Sequence, residues 1–69
     1  MKLIKKIEMQ NVSNGHNKLW IGHLFDNDLV ITEWGKIGYE TQTKSFENVG
    51  EEFLTKKVNE KYKKGYELV

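Results

Sequence analysis

The chain has 69 residues and a formal net charge of +1, with no cysteine and no proline, and all eleven of its cations are lysine. This is the length of one domain. Without cysteine there is no disulfide staple, thiolate metal site or thiol nucleophile, and without arginine no bidentate fork for a phosphate, which leaves lysine point charges, amides and backbone N–H groups.

The charge is unevenly spread: residues 1–18 carry +3, residues 19–46 carry −2, and residues 47–69 balance. This allows a local basic face and argues against a global steering field. No apolar run approaches the roughly 18–20 residues of a membrane span, and the lysines among the first six residues interrupt any signal-peptide core. These features predict a single soluble, cytoplasmic domain over residues 1–69 with no cofactor.

In chain order, Leu3, Ile4, Ile7 and Met9 among lysines predict a strand over about Lys2–Gln10. Asn11 to Asn17, with Ser, Gly, His and three Asn, has the chemistry of a loop. Lys18 to Phe25 reads as a strand. Asp26-Asn27-Asp28 is a hairpin turn, and Leu29 to Trp34, rich in β-branched residues, is the clearest strand. Gly35 and Gly38 are expected to bend the chain, and Tyr39 to Phe46 alternates as an edge strand would. On the strand Lys18–Phe25, Leu19 and Ile21 are expected inside, with Trp20 on the opposite sheet face. Trp20 exposed beside Leu24 would form a patch for a protein partner.

Asn48 with Glu51 three residues later suggests a capping box. Val49, Phe53, Leu54, Val58 and Tyr62 then fall on one helical face. Glu51 and Glu52 near the start and Lys61, Lys63 and Lys64 near the end match the helix dipole, with the helix lysines read as a solvated face. Gly65 is a natural residue just past the helix, with Tyr66 as its hydrophobic contact, and Tyr66–Val69 returns as a strand. The prediction is an α+β fold in the order β-β-β-β-α-β: a small antiparallel sheet of about five strands covered by one α-helix.

Catalytic chemistry finds no foothold. His16 and His23 lie apart on a loop and a strand, Asp26 and Asp28 flank a turn, and no serine sits in a nucleophile elbow. The two histidines lack a third metal ligand at useful spacing. The expectation is therefore a protein that is not an enzyme and holds no metal.

The most informative stretch is Trp34-Gly35-Lys36-Ile37-Gly38, which places a flat ring, a cation and two permissive backbone positions within five residues. It could hold a sugar or base while lysine meets a phosphate, or it could be a β-corner whose indole plugs the core.

The chain resembles the WGR domain family. Trp34-Gly35-Lys36 stands where the family has Trp-Gly-Arg, and Ile37-Gly38 follows as its aliphatic-Gly pair. Gln42-Thr43-Lys44-Ser45-Phe46, Asn17-Lys18-Leu19-Trp20 and the close Glu60-Lys61-Tyr62-Lys63-Lys64-Gly65-Tyr66 also resemble family segments, so that the likeness runs from about Ile7 to Tyr66. The resemblance implies the same sheet and helix. In DNA-dependent poly(ADP-ribose) polymerases this domain binds DNA near ends and breaks, with the motif Trp on a sugar and the motif Arg and the Asn-Lys pair by the backbone. Carried over by position, the expected nucleic-acid-binding residues are Trp34, Lys36, Asn17 and Lys18. Gln42 and Lys44 are added from the adjoining strand, and Lys36 replaces the arginine.

The expectation is a small nucleic-acid-binding module that meets DNA more readily than RNA at ends or nicks. The alternative is a protein-interaction adaptor, such as a bacterial phage- or plasmid-borne accessory protein that modulates a host complex.

Overall fold

The computed structural model describes all residues from Met1 to Val69. Its strands are β1 (Leu3–Asn11), β2 (Lys18–Phe25), β3 (Leu29–Lys36), β4 (Thr41–Glu47) and β5 (Glu67–Leu68), with one helix, α1 (Glu51–Lys63), between the last two. They form one sheet in the spatial order β4-β3-β2-β1-β5, antiparallel at every pairing. The predicted α+β architecture and element order are therefore present.

The turns follow local chemistry. Asp26 to Asp28 closes the β2–β3 hairpin, with Asp28 in the left-handed region at φ 58°, the geometry of a three-residue hairpin loop. Past α1, Gly65 takes φ 95°. Its N–H donates to the Tyr62 carbonyl at 3.1 Å, and the Tyr66 N–H donates to the Lys61 carbonyl at 3.0 Å. This is the paired pattern of a Schellman close, and it satisfies two helix-end carbonyls. Asn11, at the end of β1, is buried; its Nδ2 donates to the Lys64 carbonyl at 3.1 Å, and its Oδ1 accepts from the Ser13 hydroxyl at 2.9 Å. One amide thus ties the helix end to the sheet.

The core joins Met9, Trp20, Leu24 and Val30 of the sheet to Leu54 and Val58 of the helix. Met9, Val30 and Leu54 are fully buried, and burying each such side chain is worth about 1.5–3 kcal/mol. Gly22 is the seat of the helix: a Cβ there would fall 2.5 Å from Leu54 Cδ1 and 2.8 Å from Trp20 Cη2.

Four local expectations are corrected. Trp20 faces the helix and is buried, as is Leu24, while Leu19 and Ile21 lie on the other sheet face. The Trp20/Leu24 partner patch therefore does not exist. Apolar residues occupy both parities of β2, and the parity holding Gly22 is the one that admits a helix at close range.

Gly35 does not bend the chain. It continues β3, opposite Leu19 and Thr41, and the reversal falls at Ile37–Glu40 with Gly38 at φ 86°. Tyr39 and Glu40 accordingly belong to the turn before β4.

Asn48 is not the helix cap. It takes φ 59° to turn the chain out of β4, and Gly50 occupies the cap position without a side-chain hydrogen bond. Finally, Tyr62 is exposed, whereas Lys57 and Lys61 are partly buried. The covered side of α1 is rotated toward these two lysines.

Candidate nucleic-acid interface

Strand register decides which side chains share a face. Trp34 pairs with Trp20 on one side and Gln42 on the other, Thr32 pairs with Gly22 and Lys44, and Lys18 pairs with Lys36. Because directly paired residues point the same way, Lys18, Trp34, Lys36, Gln42 and Lys44 all lie on the face that α1 packs against. Asn17 precedes β2 and is exposed, and its carbonyl accepts the Ile37 N–H at 3.1 Å. This bond docks the corner after β3 onto the start of β2.

A groove of about 300 Å³ runs between α1 and the β3/β4 half of this face. Trp20, Thr32, Trp34 and Phe46 form its floor, while Lys44 from β4, Lys57 and Lys61 from α1 and Lys64 just past its end bring four ammonium groups against one carboxylate, Glu60. Three of its lysines lie over aromatic faces: Lys44 Nζ is 5.2 Å from the Phe46 centroid, Lys57 Nζ 5.4 Å from Phe53, and Lys61 Nζ 5.2 Å from Tyr66. Each distance is within cation–π range. The molecule's two ion pairs, Lys5–Glu51 and His23–Glu33, lie elsewhere, so none of these four lysines has a carboxylate within 4.0 Å.

The crowding is visible in the proton affinity of Lys61. Burial lowers its pKa from the ordinary 10.5, and the positive charges of Lys64 and Lys57 lower it further, with Glu60 opposing them and Lys18 adding a lesser lowering. An anion in the groove would relieve this repulsion.

Trp34 is half-buried: it packs against the core and also lines the groove. Lys44 lines the groove as well. Lys18, Lys36 and Gln42 are exposed on the same face outside it. Reading the helix lysines as a solvated face missed Lys57, Lys61 and Lys64. Their spacing of four and then three residues was the available signal, since it places them along one helix flank beside Leu54 and Val58.

A larger concavity of about 700 Å³ follows the solvent side of α1 between Glu51 and Lys63, but no hydrophobic residue lines it and acids and lysines alternate along it. That is the balanced, solvated part of the helix.

The sheet face away from α1 carries a different polar set. His23 Nε2 lies 3.4 Å from Glu33 Oε1, and the Thr41 hydroxyl donates to Glu33 Oε2 at 2.6 Å. The Thr41 bond holds the Glu33 carboxyl below its ordinary range, against the opposing effect of burial and with help from His23. No group of three or more His, Asp or Glu side chains is placed to hold a metal, and no helix is long and apolar enough to cross a membrane.

The sheet, single helix and aromatic-floored lysine groove define a small α+β domain with one cationic face. Residues 5–69 match the family model of the WGR domain, and the chain belongs to that family, which is generally associated with nucleic-acid binding. No curated protein and no solved structure is significantly similar to the chain.

Proposed function

We propose that this domain binds nucleic acid, preferring DNA ends or nicks, with Trp34 as a platform for a sugar and lysines of the helix-side face against phosphates. It is a binding module rather than an enzyme. The observation that carries this reading is the groove itself: Lys44, Lys57, Lys61 and Lys64 converge on an aromatic floor without a carboxylate within 4.0 Å. Cations without a carboxylate partner beside flat rings suit a sugar–phosphate chain, whose sugars and bases stack while its charge is matched. Lys18 and Lys36, paired at the end of β2 and β3, extend the basic face toward the corner. Lys36 in the motif position acts as a point charge and not as a fork.

The test is fluorescence anisotropy with labelled blunt, nicked and single-stranded DNA across a salt series. Four groove lysines on duplex phosphates predict a log–log slope near about −3 to −4. Lack of any binding at low salt would overturn the reading. Equal affinity for an end-containing fragment and a closed circle of the same sequence would remove the preference for ends.

A further inference from the structure

We propose that Tyr39 is a stacking platform for an unpaired base, which would make the corner after β3 a reader of single-stranded overhangs. This inference rests on the nucleic-acid-binding reading and adds a contact outside the groove. Three observations carry it.

The Tyr39 side chain is 66% exposed, a large ring left in solvent on a domain that covers its other aromatics more fully. The backbone that carries it is fixed. The turn Lys36-Ile37-Gly38-Tyr39 is closed by the Tyr39 N–H donating to the Lys36 carbonyl at 3.0 Å, with Gly38 at φ 86° in its third position, as in a type II turn. The Ile37 N–H bond to the Asn17 carbonyl fixes that turn to the start of β2. Third, the Lys36 ammonium stands 4.7 Å from the Tyr39 centroid, so that a cation and an open ring are offered together at the end of the strand that carries Trp34.

A nucleotide has the matching pair of groups, a planar base and a phosphate one sugar away. Stacking on an aromatic side chain is tolerant of sequence because every base has a π-face. Inside a duplex both faces of a base are stacked, and at a blunt end the one open face is fixed in the helix, whereas an unpaired base can turn onto the ring; the contact therefore favours unpaired termini.

The experiment compares a blunt duplex, the same duplex with a short single-stranded overhang, and that overhang with abasic nucleotides, bound to the wild type, Tyr39→Ala and Tyr39→Phe. The exposed position makes both variants compatible with folding. The expected result is tighter wild-type binding to the overhang than to the blunt end. Tyr39→Ala should lose about tenfold on the overhang alone, Tyr39→Phe should behave as wild type, and the abasic overhang should bind like the blunt end. Overhang binding that is unchanged in Tyr39→Ala, or equally tight with abasic nucleotides, overturns the platform and leaves the DNA-binding reading standing. Absence of binding to all three substrates at low salt overturns both.

Discussion

Trp20 and Trp34 are directly paired on β2 and β3 and point to the same side of the sheet, yet Trp20 is buried and Trp34 is only partly covered. The helix packs most closely on β2, so one indole completes the core and its neighbour, farther from the helix, lines the floor of the groove. The motif tryptophan thus stands beside a buried tryptophan on the neighbouring strand and packs partly on the same core.

This division predicts different outcomes for the two truncations. Trp20→Ala should cost about 3–5 kcal/mol of folding free energy, as large-to-small core changes do, enough to unfold much of a domain this small. Trp34→Ala should cost clearly less stability and should weaken DNA binding by the roughly 1–3 kcal/mol of one stacking contact. Urea melts of both variants and anisotropy of Trp34→Ala give the comparison. Equal destabilisation by the two would mean that Trp34 is a core residue and not a platform.

The groove lysines yield a second prediction. Losing one phosphate-contacting lysine should reduce the magnitude of the salt slope by about 1. Lys57→Ala and Lys61→Ala should each do this, and Lys63→Ala, on the solvent side of α1, should not. Lys61 also has a stability signature. Its folded pKa is lowered, so just below the ordinary 10.5 the unfolded chain holds more protons than the folded one, and stability rises with pH there. Lys61→Met, which keeps the apolar stem over Tyr66 and removes the charge, should raise the melting temperature while weakening DNA binding. A variant that loses both would show that the ammonium itself holds the helix to the sheet.

The sequence made the fold legible where one physical signal acted alone. The Gly65-Tyr66 helix close, the Asp26–Asp28 turn and the element order needed only local chemistry, and the structure has each of them. It misled where two signals competed. On β2, Leu19, Ile21 and Phe25 argue for one face and Trp20 and Leu24 for the other, so hydrophobic alternation cannot choose; the absent side chain of Gly22 chooses, by letting Leu54 approach. Asn48 looked like a cap because Asn suits that role, but Asn also tolerates the left-handed conformation the chain needs on leaving β4. Of the groove residues, Trp34 stands in the motif and Lys44 was added from the adjoining strand. Lys57, Lys61 and Lys64 were hidden among balancing glutamates; the rotation of α1 on the sheet partly buries the first two, and Lys64 follows exposed at the helix end.

Gly22 offers a direct check on that packing argument. A methyl group at this position would meet Leu54 and Trp20 well inside contact distance, so one of them must move. Gly22→Ala should destabilise the domain by about 1–3 kcal/mol through overpacking, read as a lower urea midpoint at constant slope. Gly50→Ser is the opposite case. No heavy atom lies within 4 Å of a Cβ built there and the helix start lacks a side-chain cap, so serine should add a few tenths of a kcal/mol. A neutral Gly22→Ala would indicate that the helix slides freely over β2.

The far face of the sheet predicts a pH dependence independent of DNA. Glu33 titrates below its ordinary value of 4.5 chiefly because the Thr41 hydroxyl donates to its carboxylate. For a carboxyl with a lowered folded pKa, the folded state holds fewer protons than the unfolded one through the window below 4.5. Its contribution is therefore complete above that value and disappears as pH falls through the folded pKa. Thr41→Val removes the leading cause and leaves burial, which raises the pKa, opposed only by His23 and Lys6. The variant should accordingly be less stable than wild type at neutral pH, and its acid unfolding should begin at a higher pH. The gap between the two proteins should narrow once Glu33 is protonated in both. Circular dichroism melts of the pair between neutral pH and about pH 2 test this, because His23 and Lys6 are common to both chains and cancel in the difference. A stability gap that stays constant through the acid range would mean that Thr41 acts by packing alone and that its bond to Glu33 contributes nothing to the titration.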